Sequence, residues 1–493
     1  MNYISTRGNS PAVSSAYAIK TGLASDGGLY MPESIPEITK DELLALAELS
    51  YPERAATILR KFLTDYTYEE LLEDARAAYS EEKFTPSPAP VTDLGDGMYM
   101  LELWHGPTSA FKDMALQIMP RLFSRALVKT GEERTALILV ATSGDTGKAA
   151  LEGYRDVRGT KIEVFYPING VSRVQKLQMQ TQEGSNLSVS GIVGNFDDAQ
   201  SGVKRIFASG EMRDALDERG VFLSSANSIN WGRLVPQIVY YVSAYCDLAK
   251  SGKIAFGELL DVTVPTGNFG NIFAAFIAKK MGVPLGTLVC ASNKNNVLTE
   301  FLETGTYDRN RTFHTTMSPS MDILISSNLE RLLYLTVGAE RTAGYMRELA
   351  ENGKYTVDKA DFVNITSHFT GYYTDENDTM ATIKQTFEKK NCLIDTHTAV
   401  ALSASCRHSG GNKAERKILT VSTASPYKFA FDVYTSVAGK NPTGELEALD
   451  ELKELTGVAI PYPLASLRGK AVIHTGVIEH NAMEDAVKDF AGN

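Results

Sequence analysis

An alternation of short apolar runs and helical patterns, from residue 135 to residue 422, constrains the fold of this chain more than any other feature. Runs typical of strands occur at 135–141, 161–168, 186–193, 221–226, 261–265, 286–291 and 418–422, with helical patterns between them. Strands that alternate with helices of this length form parallel sheets covered by helices. We therefore predict an α/β fold with two doubly wound open-sheet domains.

The first ninety residues have a different, mostly helical pattern. Amphipathic helices are expected at 42–49, 52–63 and 68–79, and Pro86-Ser-Pro-Ala-Pro90 is a stiff linker. A chain of 493 residues suits about three domains at roughly 150 residues each. We predict a mostly helical N-terminal domain at 1–90, a smaller α/β domain at 91–220 and a larger α/β domain, with C-terminal helices, at 221–493.

Charge and composition argue against several classes of protein. The 49 Lys and Arg against 60 Asp and Glu give a net charge of −11, which disfavours a nucleic-acid partner. The apolar stretch 234–249 is short and is interrupted by Gln237 and Asp247, so it predicts a buried helix rather than a membrane span. The N-terminal residues lack the apolar core of a signal peptide, and the four cysteines lack zinc spacing. We expect a cytoplasmic protein that binds no metal, nucleic acid or membrane.

Three loops, at 142–147, 266–271 and 422–426, each follow an apolar run and precede a helical pattern. In an open α/β sheet such loops lie at the carboxyl ends of strands, where ligands bind. Backbone N–H groups at the start of the following helix can hold an anion. The first loop lacks the Walker A pattern, because position 142 is Thr and 149 is Ala, and Pro265 breaks a dinucleotide fingerprint at the second. Taken singly, each loop also fits an ordinary strand-to-helix turn.

A fourth segment, at 101–113, carries a candidate nucleophile. Gly106-Pro107 forms a turn, and Lys112 follows an apolar residue at the expected start of a helix. A lysine in a desolvated pocket loses proton affinity and becomes a usable amine nucleophile. By itself the segment favours the commoner interpretation, a solvated helical lysine.

Taken together, these segments resemble the threonine synthases, which belong to the tryptophan-synthase-β-like, fold type II class of pyridoxal-phosphate enzymes. The motifs are H-G-P-T-S-A-F-K-D at 105–113, A-T-S-G-D-T-G at 141–147, S-A-N-S-I-N at 225–230, P-T-G-N-F-G-N at 265–271, T-M-S-P-S-M-D-I at 316–323 and V-S-T-A at 421–424. They occur in the family's order and span most of the chain. The resemblance implies that pyridoxal 5'-phosphate lies in the cleft between the two sheet domains.

The resemblance also implies roles for individual residues toward the cofactor. Lys112 would carry the cofactor as a Schiff base and then act as the base at the substrate α-carbon. Thr423 would face the pyridine nitrogen as a neutral partner, which makes the ring a weaker electron sink than a carboxylate partner would. Thr423 also suits a helix N-cap, and the two roles are compatible. The cofactor phosphate would be held by Gly267, Asn268, Phe269, Gly270 and Asn271.

Contacts to the substrate are implied as well. Ser143, Asp145 and Thr146 would face the substrate carboxylate and the 3-oxygen of the cofactor. A carboxylate at 145 would repel an ionised 3-oxygen unless it is protonated or turned away. Asn230 and Arg233 are expected either to contact the substrate or to form a capped, solvent-facing helix start. The sequence does not rank the candidate cations for a substrate phosphate, which are Lys148, Arg233 and Lys428.

The reaction that the resemblance implies is the conversion of O-phospho-L-homoserine and water to L-threonine and phosphate, the last step of threonine biosynthesis. A serine/threonine dehydratase or a phospho-lyase that acts on another amino acid would share the fold and the cofactor. A non-catalytic binding protein is the remaining alternative, and the presence of Lys112 with both glycine loops counts against it. Whether the chain is a monomer or a homodimer stays open.

Overall fold

The N-terminal region is mostly helical, as the sequence predicts. The computed structural model describes residues 1–169, 171–411 and 416–492. Capping boxes start two of the helices, because Thr39 and Thr67 exchange hydrogen bonds with Glu42 and Glu70. The elements of this region are β1 (Tyr3–Ser5), α1 (Ser15–Thr21), β2 (Tyr30–Pro32), α2 (Lys40–Ala47), α3 (Tyr51–Phe62) and α4 (Tyr68–Ala78).

The middle of the chain supplies most of a five-stranded parallel sheet, whose order is β15-β7-β6-β5-β8. The strand runs predicted at 135–141, 161–168, 186–193 and 221–226 correspond to β5 to β8 within one or two residues. The elements here are β3 (Val91–Gly95), β4 (Met98–Glu102), α5 (Asp113–Leu116), α6 (Met119–Lys129), β5 (Thr135–Ala141), α7 (Asp145–Tyr154), β6 (Thr160–Pro167), α8 (Arg173–Gln180), β7 (Leu187–Val193), α9 (Phe196–Ala208), α10 (Gly210–Asp217) and β8 (Val221–Ser224).

A second sheet has six strands in the order β13-β10-β9-β14-β4-β3, all parallel except for β3 against β4. The remaining elements of the chain are α11 (Trp231–Lys250), β9 (Leu260–Pro265), α12 (Gly270–Lys280), β10 (Leu285–Ser292), α13 (Val297–Thr304), β11 (Thr306–Asp308), α14 (Leu329–Val337), α15 (Ala339–Asn352), β12 (Lys354–Thr356), α16 (Lys359–Thr366), β13 (Phe369–Tyr373), α17 (Glu376–Lys390), α18 (Thr396–Gly411), β14 (Lys417–Ser422), α19 (Ala430–Ala438), α20 (Glu447–Thr456), α21 (Tyr462–Ala465), β15 (Val477–Glu479) and α22 (Met483–Gly492). The predicted fold, with two parallel-stranded sheets, is confirmed.

The two sheets do not follow the predicted domain boundaries at two places. Strands β3 and β4, which lie inside the range predicted for the smaller domain, join the six-stranded sheet. Strand β15, near the C-terminus, joins the five-stranded sheet beside β7. The boundaries at 90 and 220 themselves stay a prediction. The chain therefore enters the larger sheet first and then builds most of the smaller one. It returns to the larger sheet before β15 completes the smaller one.

The order of strands in the larger sheet positions the site. Because β9, β14 and β4 are neighbours and parallel, the segments that follow them leave the same edge of the sheet. Those segments carry the loop at 266–271, the loop at 423–426 and Lys112. Helix α11, predicted from the apolar stretch at 234–249, is a buried helix, as expected. No described helix has both the length and the apolar character that crossing a membrane requires.

Candidate active site

The segment that carries Lys112 is bound to the loop after β14 by backbone hydrogen bonds. The N–H of Phe111 donates to the Thr423 carbonyl at 2.8 Å, and the N–H of Ser425 donates to the Ser109 carbonyl at 3.1 Å. Ala110 and Ala424 form an isolated antiparallel bridge between these two bonds. Lys112 then caps the short helix α5. The backbone thereby fixes Lys112 beside Thr423, two residues that are far apart in sequence.

Lys112 is a buried amine with few partners. Its side chain is 8% exposed, and Nζ lies 3.4 Å from Asp145 Oδ2 and 3.3 Å from Ser320 Oγ. Burial lowers the pKa of Lys112 to about 8; Asp145 opposes this shift, and the cations Arg233 and Lys428 add to it. Lys112 is therefore not the solvated helical lysine of the alternative interpretation. Its contact with Asp145 is also too long for a tight ion pair. Near neutral pH, a useful fraction of it is neutral amine.

Asp145 is the acidic centre of the site and is ionised. Its Oδ1 pairs with Lys428 Nζ at 2.7 Å and accepts from Gln175 Nε2 at 2.9 Å. Burial alone would raise the pKa of Asp145, but Lys428, Lys112 and the hydrogen bonds lower it far below its usual range. The sequence left protonation as one way to avoid repulsion at a cofactor 3-oxygen. The structure instead supplies a charge-balancing lysine, because Lys428 is fully buried against Asp145.

The loop at 267–271 presents a row of backbone donors at the start of α12. Phe269 takes a left-handed conformation, with φ of 62°, and precedes the first helical residue. The backbone N–H groups of 267–271 donate to no described residue. Five such donors at a helix N-terminus suit a phosphate, as the sequence predicts. The residues present therefore fit the phosphate of pyridoxal phosphate.

Carbonyl contacts hold this loop in place. Ser326 Oγ donates to the Gly267 carbonyl at 2.8 Å. The backbone N–H and the side-chain amide of Asn328 both donate to the Asn268 carbonyl at 3.0 Å. A Cβ atom at Gly267 would lie 2.9 Å from the Ser320 carbonyl oxygen, so only glycine fits there without a shift. The loop that would bind the phosphate is thus packed against the turn that contacts Lys112.

Two residues of this loop also have side chains with structural roles. Phe269 is buried and packs on Phe369, with ring centroids 5.5 Å apart. Asn271 is buried, and its Oδ1 accepts from the hydroxyls of Tyr240 at 2.5 Å and Tyr241 at 2.6 Å. Its Nδ2 has no partner among the described residues. An unpartnered buried amide beside the donor row is a second observation that suits an anion.

Thr423 is buried, but it is not a helix cap. The short 3-10 helix that follows, Pro426–Phe429, is capped by Ser425, whose hydroxyl accepts from the Tyr427 N–H. Thr423 is only 6% exposed and lies in the loop at the edge of the sheet, next to the Lys112 segment. Its predicted role at the pyridine nitrogen stays a prediction, and the alternative as an N-cap is not what the structure has.

The loop at 142–147 brings Asp145 into the site and leaves its neighbours partly exposed. Thr142 Oγ1 accepts from the N–H groups of Gly144 and Gly147, both at 2.9 Å, which fixes the turn. Ser143 and Thr146 are half-buried. Their predicted contact with the substrate carboxylate stays a prediction.

Asn230 caps helix α11 in this structure. Its Oδ1 accepts from the Gly232 N–H at 2.9 Å, and its Nδ2 donates to the Ile19 carbonyl at 2.8 Å. The helix start is capped, as in the alternative to substrate contact, but it is buried and not solvent-facing as that alternative expected. Because both ends of the amide are engaged and the residue is fully buried, substrate contact by Asn230 has no support in the geometry.

The three cations proposed for a substrate phosphate differ in what they already bind. Lys148 pairs with Glu152 at 3.2 Å, and Lys428 pairs with Asp145. Arg233 is buried, donates from Nη1 to the Ala226 carbonyl at 2.8 Å, and has no carboxylate partner among the described residues. Burial lowers its pKa to about 10. Arg233 is the cation that an anionic ligand would satisfy best.

Ser320 and Gln175 were missed by the sequence analysis. Ser320 lies within the motif at 316–323, but that motif carries several hydroxyls and nothing in it marks the one that reaches Lys112. Gln175 lies on α8, where it reads as a helix-surface residue. Their roles depend on the packing of distant elements, which a linear pattern does not report.

Family models and solved structures agree with this fold. Residues 79–424 match the model described as pyridoxal-phosphate dependent enzyme. The chain is thus a pyridoxal-phosphate-dependent enzyme, which is the class that the buried lysine and the backbone donor row define. Residues 2–79 match the model described as threonine synthase N terminus.

Several relatives cover nearly the whole chain. It is 38% identical over 479 residues to the threonine synthase of Pseudomonas aeruginosa, covering 95% of this chain and 97% of that one. The crystal structure of pyridoxal-phosphate-bound threonine synthase from Brucella melitensis superposes with a TM-score of 0.87 at 35% identity, over 100% of both chains. That of yeast threonine synthase gives 0.88 at 33% identity, over 99% and 98%. The chain belongs to the threonine synthase family of pyridoxal-phosphate-dependent lyases.

Proposed function

We propose that this enzyme converts O-phospho-L-homoserine and water to L-threonine and phosphate, with Lys112 holding pyridoxal phosphate. The observation that carries the proposal is the buried Lys112 amine, whose pKa is lowered to about 8, beside a turn packed on the backbone donor row at 267–271. The names of the relatives that span the whole chain support the choice of reaction. A cytoplasmic location and a monomeric or dimeric state stay predictions.

Lys112 performs the proton transfers at the substrate. The neutral Lys112 amine would hold the cofactor, and when it is free it would remove the proton from the substrate Cα. A pKa near 8 suits this work, because the group must be neutral to accept a proton and must hold it afterwards. Asp145 and Ser320 lie within 3.4 Å of Nζ and orient it.

The donor row at 267–271 would bind the cofactor phosphate, and Thr423 would face the ring nitrogen. The cofactor supplies an electron sink for the negative charge that develops at Cα and then at Cβ. Phosphate then leaves Cγ and water adds at Cβ. Lys428 keeps Asp145 ionised and balances its charge, so the pair would present no net negative charge to the 3-oxygen of a bound cofactor.

Arg233 is the proposed anchor for the substrate. A buried guanidinium with most of its N–H groups unused can donate two parallel bonds to a carboxylate or a phosphate. Its proximity raises the neutral fraction of Lys112, because the positive charge disfavours the ammonium form. Arg233 would therefore bind the anionic end of the substrate and also help to keep Lys112 ready as a base.

Purified holoenzyme incubated in parallel with O-phosphohomoserine, phosphoserine and threonine tests the reaction. We expect threonine and phosphate in equal amounts from O-phosphohomoserine alone. Lys112→Arg is the matched control, because it keeps the positive charge and removes the amine that can hold the cofactor. Phosphate without threonine, or a keto acid from threonine, would identify a phospho-lyase or a dehydratase instead.

A further inference from the structure

A buried aspartate and histidine at the start of α18 lie behind the turn that contacts Lys112. His397 Nδ1 lies 2.7 Å from Asp395 Oδ2, and the same carboxylate accepts from the N–H groups of His397 and Thr398. Asp395 is fully buried and His397 is 2% exposed. The His397 ring also packs on Phe429, with centroids 4.7 Å apart. The imidazole is thus fixed in position and orientation.

The hydrogen bonds of His397 define its tautomer. The Ser320 backbone N–H donates to His397 Nε2 at 3.1 Å, so Nε2 carries a lone pair and no proton. The ring proton lies on Nδ1, where it donates to Asp395. An imidazole whose Nδ1 carries the proton and whose Nε2 accepts from the Ser320 N–H is therefore the form that this arrangement requires.

Ser320 connects this pair to the active site. It sits in the 3-10 turn Pro319–Met321, and its hydroxyl donates to Asp145 Oδ2 and accepts from Lys112 Nζ, both at 3.3 Å. Its carbonyl oxygen faces Gly267. A shift of this one turn would therefore disturb both the amine and the phosphate loop.

We propose that Asp395 and His397 are positioning residues, which hold the Ser320 N–H so that the Ser320 hydroxyl stays against Lys112 and Asp145. His397 does not touch Lys112 and acts through the Ser320 turn. The inference rests on the proposed role of Lys112, and it adds two residues outside the predicted site.

Two amide substitutions at His397 test whether the position of the hydrogen-bond acceptor matters, because both keep a polar side chain. In His397→Gln the side-chain oxygen reaches the place of Nε2 and can accept from Ser320. In His397→Asn the amide is shorter and reaches only the place of Nδ1. We expect His397→Asn to lower kcat/KM on the order of 10- to 100-fold, because small displacements of catalytic groups cost that much. His397→Gln should stay within a few-fold of wild type.

Cofactor capture supplies a readout besides activity. Apoprotein is mixed with pyridoxal phosphate across pH, and the fraction trapped on Lys112 by borohydride is measured. Loss of the Ser320 acceptor destabilises the ammonium form, so the midpoint of capture should move to lower pH in His397→Asn and not in His397→Gln. Ser320→Ala keeps His397 and should move the pH midpoint of capture by the same amount. The double variant, Ser320→Ala with His397→Asn, should move the midpoint no further.

The outcomes distinguish the two proposals. Equal behaviour of the Asn and Gln variants, or an unshifted midpoint in Ser320→Ala, would overturn the positioning role while leaving Lys112 as the cofactor residue. Wild-type protein that captures no cofactor on Lys112 would instead overturn the proposed function, and the positioning role with it.

Discussion

At the residue scale, the site depends on a charge balance around Asp145. One carboxylate faces two buried lysines, Lys428 at 2.7 Å and Lys112 at 3.4 Å. The shorter contact makes Lys428 the counter-ion and leaves Lys112 only loosely paired. This division fits the lowered pKa of Lys112. The acidic residue at 145 is therefore explained by the lysine at 428.

The energetic weight of this pair can be tested by unfolding the apoprotein in urea. Asp145→Asn leaves Lys428 buried without a counter-ion, so we expect a loss of about 3–5 kcal/mol in the free energy of unfolding. Asp145→Asn combined with Lys428→Met should recover much of that loss, since both charges are removed. The exposed pair of Asp93 with Lys253 is the control, and Asp93→Asn should leave the free energy of unfolding close to that of wild type. If the losses of unfolding free energy from the two single substitutions simply add in the double variant, the pairing of Asp145 with Lys428 is contradicted.

The same substitutions should move the pKa of Lys112 in opposite directions. Lys428 disfavours the ammonium form of Lys112, so Lys428→Met should raise that pKa. Asp145 favours the ammonium form, so Asp145→Asn should lower it. The pH midpoint of borohydride-trapped cofactor capture reports both shifts. Movement in the same direction would show that the substitutions act through folding rather than charge.

At the element scale, the sequence predicted seven of the eleven described strands in the two main sheets and missed β3, β4, β13 and β15. The long apolar runs of β5, β6 and β9 are buried on both faces and are easily recognised. The five-residue strand β4 was missed, and yet its pairing with β14 places Lys112 beside Thr423. Ser320 was missed for a similar reason, since its contacts depend on how distant elements pack.

The glycine at 267 provides a test of the phosphate loop as an element. In Gly267→Ala the new methyl group meets the Ser320 carbonyl at 2.9 Å, and the loop must move. We expect the dissociation constant for pyridoxal phosphate to rise about 10-fold or more. Gly344→Ala, in the helix α15 with open space around it, is the control and should leave the cofactor affinity unchanged. Equal affinities of the two variants for pyridoxal phosphate would argue against this loop as the phosphate-binding site.

The central strand of the smaller sheet carries a buried carboxyl group that should make the stability of the protein depend on pH. Burial raises the pKa of Glu163 on β6 to about 8. Because the folded pKa exceeds the unfolded one, the native state holds an extra proton, and this stabilisation is lost as pH rises through about 8. Glu163→Gln should therefore lose less stability than wild type between pH 5 and pH 8, by a few kcal/mol. Exposed Glu133→Gln should follow wild type in urea unfolding at both pH values.

At the scale of the whole molecule, the helical N-terminal region is joined to the active-site framework through buried arginine contacts. Arg331 Nη2 donates to the Tyr30 carbonyl at 3.2 Å and to the Ile229 carbonyl at 2.6 Å, while Nη1 bonds Asn328. Asn328 in turn holds the Asn268 carbonyl of the phosphate loop. One guanidinium thus links the N-terminal region, the start of α11 and the cofactor loop.

Arg331→Met should loosen all three connections at once. It leaves two buried carbonyls unpaired, so we expect a loss of about 3 kcal/mol in stability. Amide hydrogen exchange should quicken in residues 15–32 and in 266–271, and the affinity for pyridoxal phosphate should fall. Exposed Arg213→Met serves as the control and should change none of these. Faster exchange in the N-terminal region alone would contradict the link, because Asn328 would then hold Asn268 without help from Arg331.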